Sequence, residues 1–267
     1  MLKDITIGQY FPGNTWVHKL DPRTKLIMTV VYIAALFTAK GYISYAVMLC
    51  FLITVIHISR VSLKVLFRSL KPIIIIVAFT AALNILFTPG TPVLKFWIIT
   101  ITREGVINAV LMVLRLVMLM AGTFILTYTT TPLALTDGLE SLLGPLKKIR
   151  FPVHELAMMM NTALRFIPDL IDETDKIMSA QKARGANFET GNLIERAKAM
   201  MPLIVPLFIS AFRRADELAI AMESRCYHGG EGRTRMKQLA AGKRDYITVC
   251  IGAGLLAVII VLAVRGF

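Results

Sequence analysis

Two short triplets, each with one arginine between two small residues, are the groups in this chain best suited to binding a partner. They are Ala183-Arg184-Gly185 and Ser224-Arg225-Cys226, whose arginines stand 41 positions apart, at 184 and 225. A guanidinium is a planar fork of donors that matches carboxylates and carbonyls. Small neighbours let a helix end enter a narrow groove, so the pattern predicts two docking tips. The alternative is simple helix capping, since a cation and a glycine in the last turn stabilise a helix end without a partner.

Motifs for catalysis and cofactor binding are absent from the sequence. It contains neither the Gly-x-x-x-x-Gly-Lys-Ser/Thr loop that holds nucleotide phosphates nor the His-Glu-x-x-His pair that holds zinc. The histidines are scattered, at His18, His57, His154 and His228. The cysteines are isolated, at Cys50, Cys226 and Cys250, which gives neither metal-ligand spacing nor a disulfide framework. We therefore expect a chain that is not an enzyme and that binds no cofactor or metal ion itself.

The composition indicates a membrane protein. Of the 267 residues, 56% are hydrophobic, and the mean hydropathy is +0.66, which is high for a soluble domain. The apolar residues are also clustered, and a helical span needs roughly 20 of them in succession. Five segments qualify, at 25–39, 42–59, 72–88, 105–130 and 246–264. The sequence therefore predicts an all-α integral membrane protein with about five transmembrane helices and a cytoplasmic domain of long helices.

The placement of charge predicts the topology. The formal net charge is +13, which in a soluble protein would suggest nucleic acid as a partner. Here 14 of the 17 acidic residues lie within 137–245 beside 17 lysines and arginines, so the basic excess lies at the membrane edges. The positive-inside rule then places the N-terminus, the 60–71 loop and the central segment in the cytoplasm. We expect the lipid bilayer as a partner and no nucleic acid.

These assignments divide the chain into four parts. Residues 1–24 form a cytoplasmic N-terminal segment, and 25–130 hold four transmembrane helices. Residues 131–245 form a cytoplasmic domain with two Arg-tipped helices, and 246–267 form a C-terminal transmembrane helix. Both triplets therefore belong to the one large segment between spans, on the cytoplasmic side of the membrane.

Helical periodicity places each triplet at the end of a long arm. Apolar residues recur every three or four positions over 152–183, and Gly185 follows as a left-handed cap. The second arm covers 193–225. Its middle, 199–212, is apolar but short for a span and bounded by charged residues, so we interpret it as a buried or interfacial helix. A sixth span there would place the two tips on opposite sides of the membrane.

Arg115 is an ionisable residue near the middle of the fourth predicted span, with Asn108 about two turns earlier. Intramembrane ionisable residues are functional candidates by default, so we treat Arg115 as a candidate intramembrane polar contact. The alternative is that it packs against carbonyl groups or another subunit. Since the predicted spans hold almost no acidic residue, a counter-charge for Arg115 would lie on a partner.

Several segments follow the order of motifs in a known family. They are Asp21 to Lys25, Thr136 to Glu140, Leu143 to Leu146, Arg165 to Pro168 and Ala180 to Gly185. In this order they resemble the transmembrane T component (EcfT/CbiQ family) of energy-coupling factor transporters, and the resemblance covers nearly the whole chain. The first tip is the most specific piece. The second departs from the family pattern, although Ser224-Arg225-Cys226 keeps the central arginine and the small flanks.

The resemblance implies a non-catalytic coupling subunit of an ABC-type importer in the plasma membrane of a prokaryote. Two ABC-type ATPase subunits would bind the ATP, and each would receive one arginine tip. A separate membrane S component would capture a vitamin or metal ion and receive the ATPase motion through the arms of this chain. From the residues alone, a self-contained secondary transporter and a membrane scaffold protein stay open as alternatives.

Overall fold

The computed structural model describes residues 10–96, 99–186, 188, 192–229 and 239–265, most of them in helices. The α-helices are α1 (Pro22–Thr38), α2 (Tyr42–Ser59), α3 (Leu63–Leu70), α4 (Ile74–Phe87), α5 (Arg103–Thr129), α6 (Pro132–Leu142), α7 (Val153–Ala183), α8 (Leu193–Glu223) and α9 (Lys243–Val264). Short 3₁₀ turns cover Lys71–Ile73 and Gly144–Ile149. The predicted class, an all-α membrane protein, is confirmed.

The described residues form two compact units. The membrane unit takes its residues from 8–139 and 239–267, and the arm unit takes its residues from 140–238. Packing thus groups most of α6 with the membrane helices, while the predicted topology counts it in the cytoplasmic segment 131–245. The four-part topology itself stays a prediction.

Four helical stretches among the described residues are long and apolar enough to cross a bilayer. They are Tyr42–Ser59, Leu63–Phe87, Arg103–Thr129 and Lys243–Val264, and they fall on the second to fifth predicted spans. The first predicted span falls on α1, which has 17 residues and lies at the lower length limit for a span. A fifth span at α1 therefore stays a prediction.

The third span begins earlier than predicted. The helical stretch runs from α3 through a 3₁₀ turn into α4, whereas the sequence predicts a loop over 60–71 before a span at 72–88. Pro72 is tolerated because it lies at the start of the 3₁₀ turn, where its nitrogen is not needed as a hydrogen-bond donor. α3 is amphipathic, since Leu66 is buried while the two cations of the helix are exposed.

A β-hairpin precedes α5, where the turn residues Pro89 and Gly90 indicate only a loop. β1 (Pro92–Phe96) and β2 (Ile99–Thr102) pair antiparallel, with Phe96 opposite Ile99. The β-branched and aromatic residues of this segment favour strands, which explains why a hairpin forms where the turn residues indicate a loop.

The core of the membrane unit lies where α1, α2, α5 and α9 meet. Leu36, Met48, Met118 and Ile259 are fully or almost fully buried there. The Tyr32 hydroxyl donates a hydrogen bond to the carbonyl of Met118, at 3.1 Å. Many large apolar side chains outside this core are exposed, above all along α4, where a membrane-facing surface needs no cover from the protein.

Candidate functional site

Two long helices position the predicted tips. α7 and α8 each have 31 residues, and each continues through internal prolines, Pro168 in α7 and Pro202 and Pro206 in α8. Their bounds match the predicted arms to within two residues. Both triplets therefore lie where the sequence places them, at the C-terminal ends of these helices.

The first tip is a closed Schellman cap. Gly185 takes a left-handed conformation, with φ of 89°. Its N–H donates to the Lys182 carbonyl at 3.0 Å, and the Ala186 N–H donates to the Gln181 carbonyl at 3.0 Å. This is the bond pattern that satisfies the last carbonyls of a helix. The prediction that Gly185 ends the first arm as a left-handed cap is confirmed.

The second tip repeats this cap with a cysteine in the glycine position. Cys226 has a φ of 55°, and its N–H donates to the Glu223 carbonyl at 2.9 Å. The Tyr227 N–H donates to the Met222 carbonyl at 3.1 Å. Every bond has a counterpart 41 residues earlier, so the two triplets share backbone geometry as well as composition. Sequence reasoning missed the left-handed cap here, because cysteine seldom adopts it.

Both arginines occupy the same position in this geometry, the last residue before the left-handed one. Arg184 and Arg225 are exposed, and so are the small residues on either side of each. The backbone turns away directly after each arginine, so an exposed cation flanked by little side-chain bulk marks each helix end. Such an end can enter a narrow groove and offer donors to carboxylates or carbonyls at its base.

An ion-pair clasp joins the two arms. The Arg214 guanidinium on α8 lies 3.3 Å from an Asp169 carboxylate oxygen and 3.5 Å from a Glu173 carboxylate oxygen, both on α7. Asp169 and Glu173 are one helical turn apart and face the same cation. The sequence shows Arg214 only as a charge that bounds an apolar stretch, and its partners lie more than 40 positions away.

The contacts between the arms also give their direction. Tyr227 meets the Met158 sulfur at 3.2 Å, while Arg214 meets Asp169 and Glu173. Arg214 within α8 therefore contacts the middle of α7, and Tyr227, just after α8, contacts the beginning of α7, so the arms run antiparallel. The Arg225 tip therefore lies near Met158, at the beginning of α7. From Met158 to Arg184 the helix extends about 39 Å, at 1.5 Å per residue.

The outer face of α8 is apolar. Its exposed large side chains recur at helical spacing, and they are Met200, Met201, Ile204, Val205, Phe208, Ile209 and Phe212. The Phe208 and Phe212 rings contact each other in a tilted arrangement, at a centroid distance of 5.3 Å. The residues of the second arm that the sequence predicts to be buried or interfacial are therefore largely uncovered in the single chain. An apolar face of this extent on one helix is typical of an interaction surface.

Arg115 bonds to neutral groups in the membrane unit. Its Nε donates to the Tyr45 hydroxyl at 2.7 Å, and an Nη donates to the Ala39 carbonyl at 3.1 Å. The guanidinium carbon also lies 5.6 Å from the centre of the Tyr45 ring, within the range of a cation–π contact. These contacts match the alternative in which Arg115 packs against carbonyl groups.

Comparison with known proteins decides the family. The CbiQ model, described as cobalt transport protein, matches residues 13–236. The chain belongs to the CbiQ/EcfT family. An energy-coupling factor transporter transmembrane protein EcfT of Clostridium kluyveri is 55% identical over 249 residues, 92% of each chain. Two more proteins of the same name are similar to this chain. The protein of Thermosediminibacter oceani is 53% identical over 96% of this chain and 97% of its own length. The protein of Bacillus subtilis is 49% identical over 92% of this chain and 93% of its own length.

The family assignment confirms the resemblance seen in the sequence motifs, and the structure locates them. The segment from Asp21 to Lys25 begins α1 within a buried polar cluster. The Asp21 N–H donates to an Asp245 carboxylate oxygen at 2.8 Å, and the Lys25 ammonium donates to the Thr129 carbonyl at 2.8 Å. This CbiQ/EcfT motif therefore joins the starts of α1 and α9 to the end of α5.

A second family motif lies at the base of the first arm. A carboxylate oxygen of Glu140, the last residue of the segment that begins at Thr136, lies at hydrogen-bond distance from His154 Nδ1, 3.0 Å away. His154 is in the first turn of α7, and Glu140 is largely buried. The contact holds the end of α6 against the start of the arm that carries the Arg184 tip.

Proposed function

We propose that this chain is the non-catalytic transmembrane coupling subunit of an energy-coupling factor importer. The observation that carries the proposal is the repeated tip: two exposed arginines, on two antiparallel helices, end in the same Schellman geometry 41 residues apart. Capping alone explains a favourable helix end. It gives no reason for a left-handed cysteine at the second end, where glycine would cap at lower cost.

Each tip would enter one of two ABC-type ATPase subunits. In that groove the guanidinium would meet carboxylates or carbonyls, and each charge-assisted bond would contribute about 1.5–3 kcal/mol. The ATP would be bound by these partners and not by this chain. Since the tips lie at opposite ends of the arm pair, two separate subunits can hold them at once.

The exposed face of α8 would serve a second partner, a membrane S component that captures the vitamin or metal ion. Met200 and Met201 give this face flexible, polarizable side chains that suit re-packing against a moving partner. The Arg214 clasp would make the arms move as a pair when the ATPases close. That motion would reach the S component, which would then release its substrate inside the cell.

Copurification tests the proposal. Tagged wild-type chain should bring down two ATPase subunits and a small membrane protein from its native membranes. The double variant Arg184→Glu/Arg225→Glu should lose the ATPases, because reversed charge at both tips opposes docking. The matched control Arg165→Glu/Arg213→Glu changes the same charge at exposed arm positions away from the tips and should retain them.

The contrary outcomes are distinct. If the wild-type chain brings down no ATPase, it works as a self-contained secondary transporter or as a scaffold. If the tip variant retains the ATPases as well as the control does, docking occurs elsewhere on the chain. Either result overturns the assignment of the tips.

A further inference from the structure

Two cavities of the membrane unit adjoin each other at Trp16 and Ile58, which line both. The first cavity has a volume of about 280 Å³ and lies among α1, α2, α5 and α9. The second has a volume of about 650 Å³ and lies between the segment before α1 and the turn after α2. Trp16 and Ile58 thus form the wall that an inner and an outer chamber share.

The inner chamber is apolar. Phe51, Leu52, Val55 and Ile125 contribute to its wall, and three of its four helices include stretches able to cross a bilayer. It is open at its rim, since Ile58 and Ile251 are each about half exposed. A cavity of roughly 150 Å³ already holds a benzene-sized molecule, so this chamber has room for a segment of a hydrocarbon chain.

The outer chamber has the opposite character. Asn14, Thr15, Ser59 and Ser62 give it polar walls, and Arg60 brings a permanent positive charge. None of the described residues that line either chamber is a carboxylate. Burial lowers the pKa of His18, and the nearby Lys25 charge also lowers it. The hydrogen bond with the Phe11 carbonyl raises the same pKa, but by less than burial lowers it. At neutral pH the formal charge of this chamber therefore comes from Arg60.

A second cation lies over the ring of Trp16. The Arg244 guanidinium carbon is 5.2 Å from the centre of the Trp16 ring, and Thr248, one turn further along α9, lines the inner chamber. Tryptophan and arginine together at a helix end are typical of the boundary between the hydrocarbon layer and the lipid headgroups. The shared wall of the two chambers thus has the composition of a membrane interface.

We propose that the two chambers form a binding site for one phospholipid with an anionic headgroup. An acyl chain occupies the apolar chamber, and the phosphate lies in the polar chamber, within reach of Arg60. The occupant is a lipid because the apolar chamber opens at the surface of membrane-spanning helices, where acyl chains are the available hydrocarbon. The headgroup is anionic because the chambers hold cations without carboxylates.

Trp16 is a built-in reporter for this site. The chain has two tryptophans, Trp16 and Trp97, so Trp97→Phe leaves Trp16 as the sole indole. The full chain is reconstituted in phosphatidylcholine vesicles with a minor fraction of phosphatidylglycerol, and either lipid carries bromine on its acyl chains. Bromine quenches a neighbouring indole. At equal mole fraction, brominated phosphatidylglycerol should show about fivefold greater occupancy at Trp16, the factor expected for one arginine near an anionic headgroup.

Two variants, each with a control, distinguish a defined lipid site from a general attraction of anionic lipids to a cationic surface. Arg60→Gln should abolish the preference, whereas Lys64→Gln, which removes an exposed cation one turn away, should preserve it. Thr54→Phe fills the apolar chamber and should reduce quenching by both lipids. Thr38→Phe on α1 is the control, since it adds the same side chain outside the chamber and should leave quenching unchanged in a chain that still folds. Equal quenching by both lipids, or equal effects of Arg60→Gln and Lys64→Gln, would overturn the proposal.

Discussion

A cation in the last turn of a helix and a left-handed residue after it stabilise any helix end. What sets these two tips apart is that the second uses Cys226 where the first uses Gly185, both with a positive φ. A side chain at such a φ costs about 1–2 kcal/mol relative to glycine. The chain therefore carries strain at one tip and none at the other, and this difference can be measured.

Cys226→Gly should stabilise the second tip by about 1 kcal/mol, since glycine adopts the left-handed conformation without steric cost. Hydrogen exchange at the Tyr227 amide, which closes the cap, should slow about fivefold. The reverse change, Gly185→Cys, is the matched control. A Cβ at Gly185 meets nothing within 4 Å, so only backbone strain acts, and exchange at the Ala186 amide should accelerate. If both changes move exchange in the same direction, the caps are not equivalent.

At the scale of helices, the antiparallel pair depends on a small number of polar contacts. The clasp of Arg214 with Asp169 and Glu173 is partly exposed, with about half of the Asp169 side chain accessible. Exposed ion pairs contribute about 0.2–1 kcal/mol each. The clasp therefore sets the register of the arms more than it sets their stability.

Arg214→Glu should open this register, because three carboxylates then face one another at the crossing. We expect a loss of about 1 kcal/mol, seen as faster hydrogen exchange in the middle of α7. Adding Glu173→Arg to Arg214→Glu restores an opposite-charge pair and should recover protection. Arg213→Glu, an exposed neighbour, serves as control and should leave exchange unchanged. Failure of the swapped pair to recover protection would show that the clasp does not fix the register.

Local patterns predicted the helices of the arms well. Periodicity and the breakers Gly144 and Gly185 located α7, and the apolar runs located four of the spans. The cap at Cys226 escaped prediction because nothing local distinguishes it from an ordinary helix residue. The hairpin before α5 was hidden by neighbouring turn residues.

Contacts between distant segments could not be predicted from spacing. Asp21 bonds to Asp245, 224 positions away, and Arg214 bonds across to α7. In both cases the sequence shows only isolated charges, and the partner is chosen by tertiary packing. The same is true of Arg115, whose neutral partners are Tyr45 in α2 and Ala39 at the end of α1.

For the whole molecule, membership of the CbiQ/EcfT family makes the chain a multi-pass transport protein. Its two units have different surfaces. The membrane unit exposes apolar helices, as a bilayer requires, while the arm unit combines exposed charge, an apolar face and two arginine ends. In our account, the membrane unit is the anchor and the arm unit is the lever that ATPase subunits move.

Thiol protection at the two tips tests this claim most directly. Cys226 is exposed and becomes the sole thiol once Cys50 and Cys250 are replaced by alanine. Ala183→Cys, with Cys226→Ala, places a thiol at the first tip, and Asp172→Cys provides an exposed control in the middle of α7. We expect a polar maleimide to label all three thiols in the isolated chain, and we expect assembly with the ATPase subunits to protect both tips but not position 172. Equal labelling of the tips in the isolated chain and in the complex would contradict it.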